Sequence, residues 1–150
     1  MLGFLLGSSE CYMNPTEVLL IEDNAGDSLL IAQALAESLI SVHLRVARDG
    51  QQALQMLGEL GFQPDLIILD LNLPKLSGQS VLAFCVDKTP VVVFTESLNE
   101  ADHQNAMSLG AKAFIHKPMG LVDYKTAVCR IVRDWAVPKD GGPAGLGLEG

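Results

Sequence analysis

The chain has 150 residues, 49% of them hydrophobic, and a formal charge of −8; this suits one domain with a sizeable core and argues against a nucleic-acid surface of clustered Lys and Arg. No apolar stretch approaches the roughly 18 to 20 residues that a bilayer span needs, and Met1–Leu6 lacks a positive flank, the first Lys or Arg being Arg45. A cytoplasmic protein with no membrane partner is expected, and the widely spaced Cys11, Cys85 and Cys129 read as thiols in a reducing compartment.

Residues 1–14 are expected to be an N-terminal extension, with Met13-Asn14-Pro15 resembling a more natural start. Val18-Leu19-Leu20-Ile21 marks a first strand over about 17–22, ending in Glu22-Asp23. Asn24 or Asp27 can cap the helix that follows, whose apolar positions are Leu30, Ile31, Ala34, Leu35 and Leu39. Val42-His43-Leu44-Arg45-Val46 alternates as an edge strand should. Asp49-Gly50 turns the chain into a second helical face of Ala53, Leu54, Leu57 and Leu60.

Pro64-Asp65 opens a third strand, Leu66-Ile67-Ile68-Leu69, which runs into Asp70. A loop over 73–78 leads to a short helix at about 79–86. Val91-Val92-Val93-Phe94 forms a fourth strand ending in Thr95, and a helix over about 99–109 is closed by Gly110. The fifth strand, Ala113-Phe114-Ile115-His116, leads to Lys117-Pro118, and a last helix spans about 121–136. The Gly/Pro-rich tail 138–150 is expected to be disordered, leaving 15–137 as the folded domain. Strands alternating with helices through short connections imply a parallel sheet covered on both faces.

In such a sheet the ligand crevice lies outside the carboxyl ends of the strands. The four strand ends would bring Glu22, Asp23, Asp70, Thr95 and Lys117 together there. Crowded carboxylates need a cation, and hard oxygen ligands suit Mg²⁺. Asp23 and Asp70 are the expected ligands, with Glu22 holding a metal-bound water. Asp70 is placed to accept a phosphoryl group as an acyl phosphate, with Lys117 and Thr95 contacting its oxygens. Singly, each residue reads as a helix cap or an exposed loop; their chemistry is complementary only when taken jointly.

Leu20-Ile21-Glu22-Asp23-Asn24, the stretch from Pro64-Asp65 through Asp70-Leu71-Asn72-Leu73-Pro74 to Gly78, Thr95 and Lys117-Pro118 resemble the receiver domain of two-component response regulators. The resemblance covers about residues 16–137. It implies an α/β, flavodoxin-like (βα)5 doubly wound parallel sheet of strand order 2-1-3-4-5. It also implies Asp70 as phosphoacceptor, Asp23, Asp70 and the backbone carbonyl of Asn72 as Mg²⁺ ligands, and Lys117 as the phosphate-binding lysine. Thr95 and Phe114 would be the switch pair. The implied partner is a histidine kinase. Glu-Asp-Asn-x-Gly-Asp at 22–27, Asp-Leu-Asn-Leu-Pro-Lys at 70–75 and the final Asp134-Trp135 look like the stand-alone regulators serving phytochrome-type kinases.

The expected function is thus a single-domain phosphoacceptor that assists its own phosphorylation and dephosphorylation but is not otherwise an enzyme. The alternative is a degenerate receiver that binds a partner without being phosphorylated. A small-molecule aspartyl-phosphate hydrolase would need an aspartate at position 72, where the chain has Asn, and a nucleotide module would need a Gly-rich loop in place of Glu22-Asp23. Tyr124, Val128, Ile131 and Trp135 share a stripe of the last helix, with Ala127 and Val132 beside it. That stripe is read either as core or, with the fifth strand, as part of a homodimer interface.

Overall fold

Four of the five strands contain an unbroken apolar run, at residues 18–21, 66–69, 91–94 and 113–115, so both faces of the sheet must be covered. The computed structural model describes residues 15–136; the extension expected at 1–14 and the tail at 138–150 lie outside the described residues. The strands are β1 (Thr16–Ile21), β2 (Val42–Ala47), β3 (Leu66–Leu69), β4 (Val91–Thr95) and β5 (Ala113–His116). The helices are α1 (Ala25–Glu37), α2 (Gly50–Leu57), α3 (Gly78–Cys85), α4 (Glu100–Leu109) and α5 (Leu121–Trp135). All pairings are parallel, in the order β2-β1-β3-β4-β5, which is the flavodoxin-like arrangement the sequence implied. The β1 and β3 register places Ile21 beside Leu69, and hence Glu22 and Asp70 side by side as the chain leaves the sheet.

Side-chain alternation along each strand divides the core in two. Leu19, Ile21, Ile67, Leu69, Val91 and Val93 pack with Ala53, Met56, Val81, Leu82 and Ala106, which puts α2, α3 and α4 on one face. Val18, Leu20, Ile68, Val92 and Phe94 pack with Ile31, Leu35, Tyr124, Val128 and Ile131, which puts α1 and α5 on the other. Each large side chain so buried contributes roughly 1.5–3 kcal/mol. The stripe of α5 is therefore core: Tyr124, Val128, Ile131 and Val132 are buried and Trp135 packs partly beneath them. Any contact with a second copy must use another face of this helix. Cys85 is buried in the first cluster, where burial pushes its thiol up to about 11 and leaves it neutral.

Caps define the helix starts. Asn24 accepts from the Asp27 N–H at 2.9 Å, so the cap of α1 is Asn24, and the Asp27 carboxylate is free to turn elsewhere. Gly110 closes α4 at φ 113°, a left-handed conformation that suits glycine. Gly78 meets a different demand, close approach to the loop after β3. A Cβ there would lie 2.6 Å from Leu71 Cα and 3.1 Å from the Asp70 carbonyl oxygen. Gly78→Ala must push this backbone away, and a loss of about 2 kcal/mol is expected in urea unfolding, within the range for overpacked sites. An unchanged midpoint would show that the loop yields without strain.

Candidate functional site

The carboxyl end of the sheet gathers one buried ammonium and three carboxylates. Asp70 follows β3 and is anchored by its N–H to the Ile21 carbonyl at 3.0 Å. Its Oδ1 accepts from the Thr95 hydroxyl at 3.0 Å and the Asn72 N–H at 3.2 Å, and its Oδ2 accepts from Lys117 Nζ at 3.2 Å. Thr95 ends β4 with no exposed surface, and its carbonyl accepts the Lys117 N–H at 2.8 Å. β4 thereby carries both the hydroxyl and the anchor for the lysine.

Lys117 is buried among three acids: it donates to Glu22 Oε1 at 2.8 Å and to Asp70 Oδ2 at 3.2 Å, and it is ion-paired with Asp27 Oδ2 at 3.2 Å. Glu22 Oε2 accepts from the Asn24 N–H at 3.1 Å, so both its oxygens are engaged and it orients the lysine. Burial, with the Asp70 charge adding to it, pushes the Glu22 carboxyl up to about 7 against the pull of Lys117. Burial alone would depress the lysine; its hydrogen bond to Glu22 and the neighbouring acids outweigh that and hold it above its ordinary value. It stays charged.

Negative charge exceeds positive in this crevice, and Asp23, adjacent in sequence, is exposed with no hydrogen bond or ion pair among the described residues. Asn72 is likewise exposed. Among the described residues no three His, Cys, Asp or Glu side chains stand grouped as a complete metal cage. The donor set on hand is two carboxylates and carbonyl oxygen, all hard, with an excess of negative charge that a divalent cation would relieve. This fits Mg²⁺, which keeps several waters when one or two carboxylates hold it.

Of the sequence-predicted residues, Glu22, Asp70, Asn72, Thr95 and Lys117 are joined by direct contacts, Asn72 through its backbone N–H. Phe114 is not among them. It packs against the α2–α4 face and stacks on His103 of α4, ring centroids 4.8 Å apart at 18°. Asp27 and Tyr124 were missed as members of the site. The Tyr124 hydroxyl donates to Asp27 Oδ1 at 2.6 Å, and the Tyr124 ring sits edge-on to Phe94 at 5.2 Å. Burial, followed by the Asp27 carboxylate, raises the Tyr124 phenol well above its usual range, so it remains a donor. The available signal was the spacing: Asp27 lies four residues beyond Asp23, on the first turn of α1.

No described helix is long and apolar enough to cross a membrane. The family model for the response regulator receiver domain matches residues 18–129. Response regulator Rcp1 of Synechocystis sp. (strain ATCC 27184 / PCC 6803 / Kazusa) is 37% identical over 131 residues, covering 81% of this chain and 89% of its own length. The crystal structure of the Mn(2+)-bound form of Rcp1 superposes with a TM-score of 0.75, covering 81% of this chain and 95% of that one. The phosphorylated cyanobacterial phytochrome response regulator RcpA, 36% identical, also gives a TM-score of 0.75 and covers 81% and 94% of the two chains.

Proposed function

This chain belongs to the response regulator receiver family, and we propose that it accepts a phosphoryl group from a histidine kinase phosphohistidine onto Asp70. The observation that carries this reading is the Asp70 carboxylate, buried at the end of β3 between the Thr95 hydroxyl and the Lys117 ammonium. An Asp70 oxygen attacks phosphorus as the P–N bond of the donor breaks and its electron pair returns to the imidazole. The transition state is loose, so the residues contribute position and charge more than covalent chemistry. Lys117 and Thr95 hold the phosphoryl oxygens, and Glu22 keeps Lys117 in place. Asp23, Asp70 and the Asn72 carbonyl would hold Mg²⁺, with Glu22 contacting it through water, and the bound ion would supply positive charge to screen the anionic donor from the attacking carboxylate. The Mn(2+)-bound Rcp1 supports a divalent ion here.

Thr95 and Phe114 form the switch pair in this reading: the hydroxyl moves toward the phosphoryl group, and the aromatic ring follows into the space it leaves. Similarity to RcpA, a cyanobacterial phytochrome response regulator, supports a phytochrome-type kinase as donor, and a cytoplasmic setting belongs to the same proposal. A homodimer through α5 and β5 is supported by the position of β5 at the sheet edge, with unpaired backbone on one side. Light scattering with a phosphate mimic is expected to show twice the monomer mass; monomer mass at high concentration removes the dimer.

The reaction is tested by incubating the protein with acetyl phosphate and Mg²⁺ and reading the intact mass. One added phosphoryl group is expected, and none when the metal is chelated. No modification by acetyl phosphate or by phosphorylated kinases would favour the degenerate receiver.

A further inference from the structure

Lys117 is already enclosed by three acids in this structure. Its ammonium donates to Glu22 Oε1 and Asp70 Oδ2 and is ion-paired with Asp27 Oδ2 at 3.2 Å. A phosphoryl oxygen that pairs with this ammonium competes for it with all three acids. Asp70 is the acceptor itself. Glu22 is the most enclosed, its side chain 1% exposed, and its second oxygen is tied to the Asn24 N–H. Asp27 is the most open of the three, its side chain 15% exposed, on the first turn of α1. Its second oxygen is held from the protein side by the 2.6 Å hydrogen bond from Tyr124, a buried residue of α5.

We propose that Asp27, aimed by the Tyr124 hydroxyl, is a positioning residue that retains Lys117 in the unphosphorylated protein and releases it to the incoming phosphoryl group. This rests on Asp70 being the phosphoacceptor, and it adds a chain of direct contacts, Asp70–Lys117–Asp27–Tyr124, that joins the reaction centre to the last helix. Asp27 competes with the phosphoryl oxygens for the ammonium and adds a negative charge where an anionic donor must enter. The arrangement therefore restrains phosphorylation. Tyr124 keeps the restraint in place, because without its hydroxyl the Asp27 carboxylate can turn to water.

The test compares wild type, Asp27→Asn, Tyr124→Phe and the double variant, each phosphorylated with acetyl phosphate and Mg²⁺, with initial rates read by intact mass per folded molecule. Asparagine retains an acceptor for Tyr124 but not the charge, and its rate should rise about fivefold, the effect of losing one buried ion pair and one repulsion. Tyr124→Phe should raise the rate about twofold in the wild-type background and leave it unchanged in the Asp27→Asn background, since the hydroxyl acts through Asp27. The Lys117 ammonium resonance, followed by ¹H–¹⁵N NMR without any phosphodonor, should be sharp in wild type and broadened or shifted in Asp27→Asn. A purely structural pair would lower thermal stability and leave both readouts unmoved. Unchanged rates with an unchanged Lys117 resonance overturn the proposal, as does a Tyr124→Phe effect that persists in full beside Asp27→Asn. If wild type itself takes up no phosphoryl group, the phosphoacceptor reading has failed, and the NMR comparison still decides whether Asp27 holds the lysine.

Discussion

Asp70→Asn is expected to abolish phosphoryl uptake while the protein stays folded. The substitution is nearly isosteric. The asparagine carbonyl can keep the two hydrogen bonds now made by Oδ1, from Thr95 and from the Asn72 N–H. It also removes one of three carboxylates crowded around a single ammonium, and relief of the Asp70–Glu22 repulsion offsets part of the lost pairing with Lys117. An amide oxygen is a far weaker nucleophile than a carboxylate, and no other carboxylate in the crevice has both Thr95 and Lys117 beside it. Intact mass after exposure to acetyl phosphate and Mg²⁺ should show the unmodified chain alone. A stoichiometric phosphorylated species in this variant would mean that another side chain is the acceptor.

The second large effect is on stability. Lys117→Met replaces the ammonium by a side chain of similar length and strands Glu22, Asp27 and Asp70 without their shared cation. Removing one partner from a buried ionic cluster is strongly destabilising, and a loss of about 3 kcal/mol is expected near pH 8 without Mg²⁺, the low end because Asp27 reaches water. The sign of the pH dependence follows from linkage. A carboxyl whose folded pKa lies above its unfolded value favours folding while protonated, an advantage lost as pH rises through the folded pKa. Glu22 already sits at about 7 with the lysine present, and without that lysine its carboxyl moves further up. The deficit relative to wild type should therefore shrink toward pH 5. Urea unfolding at pH 5 and pH 8 measures this directly, and an equal deficit at both values would contradict an electrostatic origin. The same variant should phosphorylate poorly, since the remaining anions have no fixed cation facing the donor.

Most of the site was legible because a parallel sheet delivers every strand end to one edge. Glu22, Asp70, Thr95 and Lys117 each follow a recognisable apolar run, so their convergence follows once the runs are strands. Helix faces were harder. Periodicity shows that Tyr124 points inward along with Val128 and Ile131, but not what its hydroxyl meets there. Asp27 looked like a cap because acidic residues in a first turn often are; Asn24 took that role and left Asp27 to face the lysine. His103, which had no assigned contact, stacks on the ring of Phe114.

Element order, strand direction and the identity of the polar groups gathered at the strand ends are written in short-range pattern: apolar runs, their terminal polar residues and the caps between them. Packing alone decided how charge is shared in the crevice. Lys117 meets Glu22 across 95 positions of chain, and Tyr124 meets Asp27 across 97. Those pairings depend on which face of the sheet α1 and α5 cover and on their rotation about their own axes. Both follow from how the whole core fills, which no local stretch of residues encodes.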